Sequence, residues 1–230
     1  MNGKGKTFDF YIETKEDLIK AVDELGFVPL FKNSIQGFSV EEHVSPMAWF
    51  DSGVDGVWEW KGPVIRECGC AYGKFFEGKA VFVSKDWFLD LANYRRDGYD
   101  YDSRSEEGLT PYREEELYFL LEKNAPVLSK KLKAIGGYSK NGKKGFDTIL
   151  AHLQSQCYVV ISDFVYETDK NGKPYGWGVA EYSTPEKMFG GEFRKHVYDK
   201  KPEESFECIL EHLKSILPGV EEESIRRILK

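Results

Sequence analysis

Apolar residues recur along this chain at helical spacing in some stretches and at strand-like spacing in others. Leu18, Ile19, Val22 and Leu25 form one stripe, opened by Thr14 with Glu16 and Asp17 in the first turn and closed by Gly26. That pattern predicts a capped helix over 15–25. Ser39 and Glu42 have the spacing of a capping box, so a short helix is expected after Ser39. The run Trp58-Glu59-Trp60 alternates and reads as a strand, both indoles on one face and Glu59 towards solvent. Two apolar runs around Glu77-Gly78 predict a β-hairpin, after which Ser84 opens a helix over 85–96 that carries Trp87, Phe88, Leu91 and Tyr94 and is stopped by Gly98. Residues 94–102, rich in arginine, tyrosine and aspartate, read as an exposed loop, and 103–110 as a polar connection.

The stretch 114–185 carries the firmest pattern. A helix over 114–123 breaks at Asn124-Ala125-Pro126, and a second over 128–134 stops at Gly136-Gly137. A third over 145–156 has Phe146, Ile149, Leu150 and Leu153 on one face. A β-branched strand from Tyr158, a charged turn over 169–174 and a returning strand over 177–182 follow. Three short helices and a hairpin make the winged-helix plan, a variant of helix-turn-helix. Beyond Pro185 an exit loop leads to two amphipathic helices, over 202–217 and 221–229, in an acidic end. The expected architecture is α+β: an aromatic-rich N-terminal α+β region with a β-hairpin over 1–110, a winged helix-turn-helix unit over 111–190, and acidic C-terminal helices over 191–230.

Composition narrows the function. Of 230 residues 41% are hydrophobic and 31% charged, the make-up of a globular protein with a full core. No apolar run has the length of a membrane span and residues 1–6 lack the apolar core of a signal peptide, so a cytoplasmic protein without membrane partners is predicted. Cys68, Cys70, Cys157 and Cys208 have no zinc-finger spacing and read as buried thiols, Cys68 and Cys70 on one face of a strand; no metal and no cofactor is expected. A net charge of −7 excludes a protein that coats nucleic acid with its whole surface. Between 123 and 175, however, nine lysines face four carboxylates, so a basic unit sits inside an acidic chain.

Two groups of residues carry candidate chemistry. Lys140, Lys143 and Lys144 precede the third helix, and Lys170 and Lys173 occupy the hairpin tip, where they suit phosphate contacts. His152, Gln154 and Gln156 lie on or near the third helix, where the glutamine amides suit the reading of bases. The second group is Trp58, Glu59 and Trp60 with Arg95 and Arg96: aromatic faces stack on bases, arginines fork to phosphate, and a carboxylate between indoles suits acid–base work. The plainer reading makes the tryptophans core and the arginines partners of Asp97, Asp100 and Asp102. Walker, dinucleotide-binding, nucleophile-elbow and His-Glu-x-x-His signatures are all missing.

The segment Leu153-Gln154-Ser155-Gln156-Cys157-Tyr158-Val159, with Trp58-Glu59-Trp60, Tyr72-Gly73-Lys74-Phe75-Phe76 and Tyr94-Arg95-Arg96-Asp97-Gly98-Tyr99-Asp100, resembles bacterial proteins grouped as AlkZ-related. These are distant relatives of the AlkZ/YcaQ winged-helix DNA glycosylases, and the resemblance covers most of residues 25–190. The enzymes are tandem winged helices that remove alkylated or cross-linked bases without a metal, using a Gln-aliphatic-Gln or Gln-aliphatic-Asp motif that orients water. Gln154-Ser155-Gln156 matches it in part, Ser155 replacing the aliphatic residue. The resemblance implies a DNA-binding protein of base repair with DNA as partner. It leaves open a metal-independent glycosylase with Gln154, Gln156 or Glu59 managing the water. A non-catalytic module, its C-terminal helices docking on a protein, stays open too.

Overall fold

Thr14 opens the first helix by a reciprocal cap: its hydroxyl accepts from the Asp17 amide at 3.2 Å, and the Asp17 carboxylate accepts from the Thr14 amide at 3.0 Å. In the computed structural model, which describes residues 11–50, 55–170 and 174–230, this helix is α1 (Lys15–Leu25). There follow β1 (Phe27–Pro29), α2 (Val40–His43), α3 (Pro46–Phe50), α4 (Val57–Cys68), β2 (Ala71–Phe76), β3 (Lys79–Val83), α5 (Lys85–Arg96) and α6 (Tyr101–Glu106). The next elements are α7 (Tyr112–Asn124), β4 (Val127–Leu128), α8 (Ser129–Ile135), α9 (Phe146–Ser155), β5 (Val160–Thr168) and β6 (Pro174–Ser183). The chain closes with α10 (Pro185–Met188), α11 (Gly190–His196), α12 (Pro202–Ile216) and α13 (Glu222–Ile228).

The architecture is mixed α+β, as expected, with two antiparallel three-stranded sheets ordered β1-β3-β2 and β4-β6-β5. The β2–β3 turn is the predicted Glu77-Gly78, both residues left-handed at φ 49° and 69°, the two-residue geometry that follows strand twist. In the second unit the order α7-β4-α8-α9-β5-β6, with β4 paired to the returning strand, conflicts nowhere with the winged-helix plan.

Several expectations need correction. Residues 58–60 are helical, inside α4, whose buried face is Val57, Trp60, Val64 and Ile65 at helical spacing. Gly62 and Pro63 hide that period in the sequence. Trp58 and Trp60 therefore point in different directions, and no pair of indoles encloses Glu59. Cys68 ends α4 rather than lying on a strand with Cys70, and the thiols are not uniformly buried: Cys70 and Cys157 are, Cys68 is partly covered and Cys208 is exposed. The predicted helix over 85–96 stands as α5, which takes Arg95 and Arg96 out of the expected loop; Tyr101–Glu106 is a helix capped by Asp100, and the expected exit loop is the pair α10 and α11.

Gly62 lets α4 press against the hairpin: a Cβ there would lie 2.7 Å from Asp163 Oδ1. Arg66 pairs with that Asp163 carboxylate, and the Tyr166 hydroxyl donates to the Trp58 carbonyl at 3.1 Å. The larger core joins α1, the first sheet, α4 and α5 to Val160 and Ile161 of β5 and to Ile209, Leu213 and Ile225 of the C-terminal helices. His212 of α12 stacks on Trp87 at 4.0 Å and donates from Nε2 to the Leu25 carbonyl at 2.8 Å; burial lowers its pKa. A second core of Leu117, Leu121, Leu132, Leu150 and Leu153 holds α7, α8 and α9 together. Among the described residues no helix is long and apolar enough to cross a membrane.

Candidate nucleic-acid interface and adjoining cleft

Helix α9 buries Phe146, Leu150, Leu153 and Gln154 and leaves Asp147, Thr148 and His152 exposed. Its N-terminal approach carries the expected lysines. Lys140 and Lys144 are exposed and make no ion pair among the described residues, whereas the Lys143 ammonium donates to both Glu116 oxygens, at 2.6 and 2.7 Å, which raises its pKa. Lys130 is paired with Glu167, and Lys133 with Asp147 at 3.5 Å. Lys170 is exposed at the hairpin turn; Lys173 lies outside the described residues.

The opposite end of α9 opens onto a cleft of about 710 Å³ between α5, α9 and α12. His152, Ser155 and Gln156 form one wall, Arg95 and Asp97 a second, and Glu203, Phe206 and Glu207 a third. Tyr94 and Phe206 contribute rings 4.9 Å apart. Gln156 turns its amide oxygen inward, where the oxygen is buried and lacks a hydrogen-bond partner among the described residues. Beside it the His152 Nδ1 bonds the carboxylate of Glu114, which is 4% exposed although it lies in the first turn of α7. The helix N-terminus favours that carboxylate's negative charge.

The remaining predicted site residues are placed elsewhere. Gln154 is 2% exposed, with its amide donating to the Leu150 carbonyl at 3.0 Å and accepting from the Lys74 amide at 3.2 Å, so it joins α9 to β2. Glu59 accepts from the Gly56 amide at 3.3 Å and caps α4. Trp60 faces the core, and Trp58 donates from its indole to the Trp49 carbonyl at 2.7 Å. Over Trp58 and Phe164, at 4.8 and 4.1 Å, lies the ammonium of Lys61; burial lowers its pKa to about 8 against the pull of Glu59.

Arg95 borders the cleft but is occupied, donating to the carbonyls of Phe75 at 2.8 Å and Lys230 at 2.9 Å. Arg96, expected on an exposed loop, is 1% exposed and bonded to Glu186, Tyr198 and the Cys157 carbonyl. The reason is register: Arg96 follows Phe88, Leu91 and Ala92 on the buried face of α5. Sequence reasoning placed His152 beside the glutamines but missed its pairing with Glu114. A histidine four residues before Gln156 was the available signal, but its partner lies 38 positions away.

Among the described residues no three His, Cys, Asp or Glu side chains are grouped to hold a metal ion. No match was found among curated proteins or among solved structures. One family model, described as AlkZ related, matches residues 12–230, a longer span than the residues 25–190 that carry the resemblance in sequence. With nearly the whole chain matched, the protein belongs to the AlkZ-related family.

Proposed function

We propose that the protein binds DNA through the outer face of α9 and the lysines before it, in the manner of a winged helix, and serves in the repair of damaged bases. The observation that carries this reading is the exposed face of α9 with Lys140 and Lys144 unpaired at its head among the described residues. Membership of the AlkZ-related family supports it, through the relation of that family to the AlkZ/YcaQ glycosylases. Lysines so placed serve phosphates, which fix register and orientation rather than sequence. Fluorescence anisotropy with a labelled duplex at several salt concentrations tests the idea. Affinity should fall with salt, and Lys140→Ala with Lys144→Ala should flatten the slope by about one unit each. Lys143→Ala should do less, because its ammonium must leave Glu116 before meeting phosphate. Binding without a salt slope, or none at all, overturns the proposal.

A second reading, a DNA glycosylase that works without a metal, is favoured by Gln156, which borders the cleft at the end of α9. In the related enzymes the glutamine motif orients water. Here Gln154 is spent on the core, so Gln156 is left to serve that purpose. Abasic sites formed in methylated duplex and lost in Gln156→Ala, with folding retained, support this reading; a wild-type protein inert on a broad lesion panel removes it.

A further inference from the structure

The cleft holds a pair of side chains that the glutamine motif does not include. Glu114 is nearly inaccessible, and a buried carboxylate is costly unless it is paired. Its partner is Nδ1 of His152. A carboxylate that accepts from Nδ1–H fixes the tautomer and leaves Nε2 as a lone-pair acceptor. The ring is about half exposed, with 52% of its side chain accessible, and it lines the cleft one helical turn before Gln156. The buried Leu150 and Leu153 hold α9 in place, so the backbone that carries the ring is fixed.

We propose that His152 is the general base of this cleft and that Glu114 is its positioning residue; the inference rests on the glycosylase reading. Nε2 takes a proton from water as the water oxygen bonds to C1′ of the damaged nucleotide. The C1′–N bond breaks, its electron pair leaves with the base, and the imidazolium returns the proton to the departing base or to solvent. The other charged groups lining the cleft are Arg95 at the end of α5, Asp97 just after it, Glu203 and Glu207 on α12, and Lys230. Asp97, Glu203 and Glu207 thus stand against Arg95 and Lys230, and Arg226 pairs with Glu207 at 3.8 Å.

The test is single-turnover formation of abasic sites in duplex DNA treated with dimethyl sulfate, alongside the duplex Kd. His152→Ala should slow the single-turnover rate at saturating protein by about 10²- to 10⁴-fold, far beyond any weakening of duplex Kd that its place on the exposed face of α9 brings, and added imidazole should restore the rate in proportion to its concentration. Glu114→Gln should lower the rate at unchanged Kd, with Glu114→Asp recovering part of it; urea unfolding checks that each variant folds. A His152→Ala protein as fast as wild type overturns the role and leaves the glycosylase reading standing. A slow His152→Ala protein that imidazole does not relieve makes the ring structural and also overturns it. A wild-type protein that releases no base removes the reading and the inference together.

Discussion

Arg96→Met strands one member of a buried ion pair, and the structure sets the expected cost. The Arg96 guanidinium donates from Nη1 to Glu186 at 2.7 Å and to the Tyr198 hydroxyl at 3.1 Å, and from Nη2 to the Cys157 carbonyl at 2.8 Å. Its plane packs on Tyr158 at 4.7 Å and Phe193 at 5.3 Å. Burial alone would lower its pKa, but the facing Glu186 carboxylate and Tyr198 outweigh burial and raise it, so the group stays charged. Removing one member of a buried pair costs about 3–5 kcal/mol. Glu186 keeps 24% of its side chain accessible and methionine retains much of the aromatic contact, which places the expectation at the lower end, about 3 kcal/mol. For a chain of this length that lowers Tm by about 6–12 °C. Urea unfolding followed by tryptophan fluorescence measures it. Adding Glu186→Gln to the variant should recover about 1–2 kcal/mol, because the stranded charge is gone. A loss below about 1 kcal/mol for the single variant, or no recovery in the double, refutes the reasoning.

Lys61 gives the pH signature: the folded chain releases its proton near pH 8 and the unfolded chain near the usual 10.5, so between these values the unfolded state binds more protons and stability rises with pH. Lys61→Met should therefore gain most over wild type below pH 8, with the gain shrinking towards pH 10.5 in paired denaturation curves. Gly62→Ala should push α4 off the hairpin and cost about 1–3 kcal/mol in urea unfolding, because the new Cβ meets Asp163, which Arg66 and the backbone hold. Gln154→Leu should cost about 1–3 kcal/mol by leaving the Lys74 amide and the Leu150 carbonyl unpaired, while DNA affinity by anisotropy stays at the wild-type value.

Elements whose signal is local were legible. The Thr14 cap, the Glu77-Gly78 hairpin and the apolar face of α9 depend on residues within a few positions, and each stands where the pattern places it. Helix α4 was hidden because Trp58-Glu59-Trp60 imitates alternation and Gly62-Pro63 interrupts the period, although Gly62 is there for close approach to β5. The cleft was legible at His152, Gln156 and Arg95. Its other wall comes from α12, which begins more than a hundred residues after Arg95, and the partner of His152 comes from α7. Burial of Arg96 depends on Glu186 and Tyr198, which no spacing near α5 announces.

The packing of α12 on α5 bears on how this chain is made. Asn93 bonds the Ser205 hydroxyl at 3.0 Å across 112 positions, and the side chains of Ile209 and Leu213 complete a core begun by α1 and β1. A nascent chain released as far as β6 has its first sheet and α5 in place but lacks the helix that covers them. The N-terminal region must wait on the ribosome with an apolar face open until the last helices emerge. Contacts of such sequence separation slow folding and prolong exposure to aggregation. Newly made chains should therefore lean on holding chaperones late in synthesis, and pieces ending before α12 should collect in inclusion bodies.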